Sequence, residues 1–494
     1  MKNLAHDIDD LTRLNIWRQY QSTLSLILYA ALIKFSPQQR LRIENSMSHG
    51  FYCLTGSPLS KKDLIQLLRA MQQIIDADLP IKQPTYNKND AIKLFKRNRQ
   101  LDKVNLLKNC RVKNIKVSSL GQINDFFLMP PFDSTGKAPN FYLKRFTPGF
   151  IMVFPTWQNL GLMPPFKPQP RLAKIFNEYE EWSAILQVSD LSQLNQAIRS
   201  GMGPQIIKIS EALHEKKIVY IADRITREQK KLILIAGPSS AGKTTFTKRL
   251  AIQMMVNGIR PHVISADDYF LPHSKTPRGP HGKMDFETIN AVDIALLNNQ
   301  LRRMLDGRTV ETPIFNFITG RRNKGRKVRL EKNDIILLEG IHCLNEKLTY
   351  SIDRNKKLKI YISALTQLNI DDHNRVSTTD TRMLRRIIRD TLYRGYDIIG
   401  VLNQWGQVRR GEEKNIYPFQ EESDEMFNSA LVYEPAIMKK YVVPILRRVK
   451  KPPSVMEETN RLIRLLDFFP DLEERDIPSN SILREFIGGS SFVY

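Results

Sequence analysis

The sequence predicts an α/β fold, a parallel sheet with helices on both faces, preceded by a separate α+β module. Three observations predict it. Apolar runs of strand length, residues 231–236 (KLILIA), 262–266 (HVISA), 334–340 (DIILLEG) and 358–364 (LKIYISA), alternate with helical segments. Unbroken apolar runs are expected of parallel strands buried on both faces. The first run enters a glycine-rich turn and then a helical segment, and ahead of about residue 225 the pattern is of another kind.

In that front part, residues 25–35 (SLILYAALIKF) and 63–80 (DLIQLLRAMQQIIDADLP) read as helices. A proline-rich section follows at residues 130–170, in which FYLKRF and FIMVFP read as short strands separated by Thr147, Pro148 and Gly149. An α+β module fits that mixture. The chain of 494 residues exceeds what one hydrophobic core supports.

Bulk properties exclude several classes. No stretch approaches the roughly 20 apolar residues needed to cross a bilayer. The opening MKNLAHDIDD is acidic where a secretory signal is basic and then apolar, so a cytoplasmic location is expected and no membrane partner. Cys53, Cys110 and Cys343 lie far apart in no ligand pattern, which predicts three buried reduced thiols rather than a disulfide framework or a zinc site. The formal net charge of +24 favours polyanionic partners. Basic residues concentrate at 93–116 and 321–332, but neither segment interleaves aromatics as RNA-binding signatures do. A small-molecule partner is therefore preferred to nucleic acid, and the oligomeric state stays open.

The chemistry begins at GPSSAGKT, residues 237–244, which matches GxxxxGK[ST] between a strand and a helix. Such a P-loop folds tightly enough for its backbone N–H groups and the helix's positive end to face phosphate. Gly237, Pro238, Ser239, Ser240, Ala241, Gly242, Lys243, Thr244 and Thr245 are the candidate nucleotide-binding residues. Lys243 is expected to reach the β- and γ-phosphates of ATP or GTP, and Thr244 to offer its hydroxyl to Mg2+.

Phosphoryl transfer also needs carboxylates at neighbouring strand ends, to hold the metal and orient the attacking hydroxyl. Glu339 ends DIILLEG, and Asp267 and Asp268 end HVISADD. A lone carboxylate there is often only a helix cap, but a neighbouring P-loop reverses that weighting. Arg382, Arg385, Arg386 and Arg389 recur at three- and four-residue spacing in DTRMLRRIIRDTLYRG, which places them on adjacent faces of one helix. A solvated basic helix is the plain alternative; bidentate recognition of phosphate favours a lid over the nucleotide.

GPSSAGKTT, ADDYF, DIILLEG and DTRMLRRIIRD, in this order and spacing, resemble the uridine kinase and phosphoribulokinase family over about residues 230–450. SKTPRGPHGKMDFE, TPIFNFITGRR and IPSNSILREFIGGSSF further resemble bacterial nucleoside kinases that carry a threonyl-tRNA-synthetase-like module ahead of the kinase. The resemblance implies ATP-dependent phosphorylation of a nucleoside on its 5′-hydroxyl, with Asp267 as general base. It further implies that Asp285 and Arg382 contact the sugar, that Phe315 and Phe317 line the base pocket, and that Thr244, Glu339 and Asp267 serve magnesium.

IENSMSHGFYC and DSTGKAPNFYLKRFTPGFIMVFP resemble the second additional domain of threonyl-tRNA synthetase. Editing there relies on HxxxH and CxxxH clusters, and neither occurs; Phe127 and Pro131 stand at the corresponding Cys and His positions. The expected organisation is thus a non-catalytic module at 1–225, a kinase domain at 226–450 and a C-terminal extension packed on it at 451–494. Uridine kinases also carry a tyrosine where Phe315 stands and a base-contacting histidine where Gly320 stands. A lost hydrogen bond of that kind costs about 1–3 kcal/mol if unreplaced, so Gly320 predicts open space and a ribose more securely than a uracil. Two alternatives remain: a nucleotide-regulated RNA- or tRNA-binding protein, and a kinase of another sugar-containing metabolite.

Overall fold

The structure, a computed structural model, describes residues 9–278, 282, 284–366 and 368–494. Residues 279–281 and 283 of SKTPRGPHGKMDFE therefore lie outside the described residues, as do 1–8 and 367. A five-stranded parallel sheet runs in the order Arg260–Ser265, Asp334–Glu339, Leu232–Ala236, Lys357–Ser363, Glu425–Asn428. The strand that feeds the P-loop is central and entirely buried. Alternate side chains serve opposite layers: Ile233 and Ile235 meet Phe246 and Leu250 of the P-loop helix (Lys243–Val256), while Leu232 and Leu234 join the core beneath the helix Ile294–Leu305. This is the expected α/β architecture.

The front part contains a four-stranded antiparallel sheet in the order Leu41–Met47, Gly50–Thr55, Gly149–Val153, Tyr142–Phe146, which includes both strands read from FYLKRF and FIMVFP. Helices Asp10–Phe35 and Lys61–Asp76 cover one face, and a reciprocal Ser60–Asp63 capping box fixes the start of the second. The other face sends Met47, Ile151 and Val153 into the core that holds Leu232 and Leu234. The two sheets thus share apolar packing.

The junction is also ionic. Lys103, from the basic run at 93–116, is buried rather than solvated, with its Nζ 2.9 Å from Asp125 Oδ1 and 3.1 Å from Asp371 Oδ1. Asp125 in turn meets His373 Nδ1 at 2.5 Å. The helix Gly203–Arg227 crosses the expected boundary and packs on the P-loop helix. The helix Pro453–Asp467 touches both Asp10–Phe35 and Glu434–Leu446. Cys53, Cys110 and Cys343 are free and buried.

Candidate active site

The P-loop approaches the adjacent strand so closely that a Cβ at Gly237 would collide with the Ile362 carbonyl. Gly242 caps the helix at φ 83°, a left-handed conformation that glycine adopts without steric cost. Ser240 also takes a positive φ of 58°, and its buried hydroxyl has no partner among the described residues. Lys243 Nζ donates to the carbonyls of Gly237 (2.9 Å) and Pro238 (3.2 Å), which folds the ammonium over the loop. Thr244 keeps a free hydroxyl among the described residues.

Asp267 lies in a short turn, Ala266–Tyr269, directly after its strand, and its N–H donates to Ser265 Oγ at 3.3 Å. Burial pushes its pKa above the usual carboxyl range, against the charge of Lys243. Glu339 is the last residue of its own strand, in register with Ser265 and Ile235. Burial raises its pKa too, opposed by Lys243, and it accepts a hydrogen bond from Thr247 at 3.3 Å. Asp268 differs: its carboxylate accepts from the Phe315 N–H at 3.1 Å and pins the strand Val310–Asn316.

Facing this group is a second pair of carboxylates. Asp285 accepts from the N–H of Glu287 at 3.1 Å. Glu287 is held up to about 7 by burial and then by the charges of Glu412, Asp267 and Asp285. Gly411 leaves room for it, since a Cβ there would crowd the Glu287 carboxylate. Sequence reasoning selected Asp285 from KMDFE and missed Glu287; the second carboxylate two residues on was the available signal.

Phe315 is buried among Phe270 (5.8 Å between ring centres), Phe286 (6.5 Å) and Phe317 (5.0 Å), while Phe317 is 59% exposed. The expectation of open space at Gly320 does not hold. A Cβ on Gly320 would land inside the His273 imidazole, whose ring centre lies 6.1 Å from Phe315 and 5.7 Å from Phe286. An imidazole therefore stands in the aromatic cluster after all, brought there from a loop by the hydrogen bond from His273 N to Gly320 O at 3.1 Å. No linear pattern could have paired those two positions.

The arginine helix, Thr378–Leu392, corrects a second expectation. Arg382 and Arg385 are fully buried and support the P-loop from behind rather than closing over it. Arg382 pairs with Glu412, and its burial leaves it no open path to a sugar in this arrangement. Arg385 donates to Glu434 at 2.8 Å and to the Ser240 carbonyl at 3.4 Å. Arg386 donates to Ser239 Oγ at 3.2 Å, and Arg389 holds Asp390 at 2.8 Å. On the outer side of the P-loop helix, Glu485 accepts from Thr245 N (3.2 Å) and Thr245 Oγ1 (2.6 Å), and the Tyr494 hydroxyl lies 2.9 Å from the same Oγ1.

Residues 232–432 match the family described as phosphoribulokinase / uridine kinase. Uridine kinase of Lactobacillus johnsonii is 30% identical over 176 residues, 35% of this chain and 74% of that protein. Uridine kinase of Lactobacillus helveticus is 30% identical over 203 residues, 40% of this chain and 85% of that protein. A solved structure described as a possible uridine kinase from Bacillus stearothermophilus aligns over 43% of this chain and 97% of that one, at 18% identity and a TM-score of 0.30.

Proposed function

Since the chain belongs to the phosphoribulokinase / uridine kinase family, we propose that it is an ATP-dependent nucleoside kinase acting on the 5′-hydroxyl of a ribonucleoside. One observation carries the reading: Asp267, Asp285 and Glu287 interact electrostatically at one place, on the side of the P-loop where Lys243 also acts. A nucleotide switch has no use for acceptor-side carboxylates.

The residues present suit both nucleotide and metal. Among the described residues, the loop offers an unpartnered buried hydroxyl at Ser240, a glycine cradle and a lysine whose hydrogen bonds go to its own loop's carbonyls. Residues 237–245 would hold the phosphates, and Thr244, Glu339 and Asp267 provide the hard oxygen donors that magnesium prefers. Magnesium, when bound, neutralises charge on the phosphates. Asp267 takes the proton of the acceptor hydroxyl. Its raised pKa makes it a better base than a solvated carboxylate, provided it is ionised at the working pH. Lys243 moves from the loop carbonyls to the phosphoryl oxygens. Asp285 and Glu287 accept the ribose hydroxyls, and the Phe315, Phe317 and His273 rings receive the base. Arg382 and Arg385 hold carbonyls of the loop and Arg386 holds the Ser239 hydroxyl, so that the loop's donors need no reorganisation as charge develops.

Incubating the protein with γ-labelled ATP, magnesium and a panel of nucleosides and sugar metabolites tests the reading. Label on a nucleoside 5′-oxygen is the expected result. Transfer only to a non-nucleoside acceptor, or to none, would overturn it.

A further inference from the structure

Between the front sheet and the parallel sheet lies a cavity of about 430 Å³ that shares no residue with the P-loop, Asp267, Asp285 or Glu287. Its size falls within the range of small-ligand sites, about 300–1,000 Å³. The two halves of the chain build it together. The front part contributes Trp17, Phe51, Phe154 and Trp157, with Phe51 and Phe154 in edge contact at 4.9 Å between ring centres. Tyr417 and the first turn of the arginine helix come from the other half.

The charges in its wall do not balance. Asp380 is taken by Arg461, at 3.0 Å for the longer of two bonds, and Glu413 by Arg409 at 2.9 Å. Arg18 is committed to Glu458 at 2.6 Å. That leaves Lys167 and Arg375, neither of which has an ion-pair partner among the described residues. Arg375 donates to the Ser46 hydroxyl and lies over the Phe51 ring at 5.1 Å, and burial lowers its pKa to about 10. Asp380 and Glu44 act on it only from beyond ion-pair distance, each bridged to another arginine, and a partly desolvated guanidinium placed so gains from an anion that joins it. Thr378 and Thr379, at the positive end of a fifteen-residue helix, line the same space.

We propose that this cavity is a second ligand site, distinct from the phosphoryl-transfer site, which binds a nucleoside monophosphate. The two unneutralised cations match the two charges of a phosphate monoester. The aromatic wall supplies an apolar surface for a base without demanding one hydrogen-bonding edge. The site does not depend on which acceptor the kinase phosphorylates.

Calorimetric titration of the full chain with AMP, GMP, CMP and UMP tests it, on the unaltered protein and on Lys243→Ala, Lys167→Ala and Arg375→Ala. At least one monophosphate is expected to bind the cavity with one equivalent, additional to any held as product at the acceptor site, and at the same affinity in the unaltered protein and Lys243→Ala. Lys167→Ala and Arg375→Ala should each weaken that binding tenfold or more while leaving ATP affinity unchanged. Lys167 is exposed at the rim, so its variant folds even if Arg375→Ala lowers the melting temperature. The proposal fails if none of the four binds. It also fails if binding vanishes with Lys243→Ala, which would place it at the P-loop, or if neither cation variant weakens it.

Discussion

Arg382 and Glu412 hold one residue of the P-loop by both of its peptide groups: the arginine donates to the Ser239 carbonyl at 3.1 Å, and the glutamate accepts from the Ser239 N–H at 3.0 Å. The two side chains are also bonded to each other, out of contact with water, and to the hydroxyl of the half-buried Tyr417. A loop that must present several donors to phosphate is thereby fixed through a residue that need not touch phosphate at all. Glu412→Ala would leave a buried guanidinium unpaired, a change that costs about 3–5 kcal/mol. Denaturant unfolding should show that loss, and ATP affinity should fall with it; an unchanged midpoint would mean the pair is not essential to the fold.

Asp267→Asn should retain ATP binding while turnover drops by about 10² to 10⁴, the usual range for a lost general base. Lys243→Ala should weaken both. Single-turnover assays beside ATP titration separate the two cases, and near-normal turnover in Asp267→Asn would assign the proton to another group. Asp268 is a poor candidate for that role, because it is already committed to the Phe315 N–H.

Glu287 gives a pH signature. Its folded pKa is raised to about 7 by burial, above its value in the unfolded chain, so the folded state holds the proton more tightly between the two values. The stability linked to that proton is complete below the ordinary carboxyl range and disappears as pH climbs towards 7. Glu287→Gln cannot lose a proton and should gain on the unaltered protein in melting temperature from pH 5 to pH 8. Parallel curves for the two proteins would show that Glu287 titrates normally.

His273 should matter for choice of base. Its ring is the polar member of the cluster formed by Phe270, Phe286, Phe315 and Phe317. Removing one buried hydrogen-bonding partner costs about 1–3 kcal/mol, roughly 5- to 150-fold in kcat/KM. His273→Ala should impose that loss on the preferred nucleoside and less on the others, with ATP parameters unaltered. An equal loss across uridine, cytidine, guanosine and inosine would mean the imidazole only packs.

Much of the parallel sheet was legible because buried strands announce themselves as apolar runs and the P-loop punctuates them. Glu339 and Asp267 could be placed at strand ends for the same reason. The arginine helix was legible as a helix but not in its orientation, since three- and four-residue spacing is the same whether the charged face meets solvent or a buried Glu412 and Glu434. His273 was illegible, as its value lies in a contact across a loop with Gly320. Lys103 looked like one more solvated lysine in a basic run; only the tertiary approach of Asp125 and Asp371 shows otherwise.

That lysine bears on how the chain can be dissected. A cut near residue 225 would strand Asp371 and His373 in one fragment and Lys103 and Asp125 in the other, and would bare the shared apolar layer around Met47 and Ile151. Neither fragment is then a self-sufficient object. The halves should melt together as one cooperative transition in calorimetry, and a kinase fragment made alone should aggregate unless its missing half is supplied in trans.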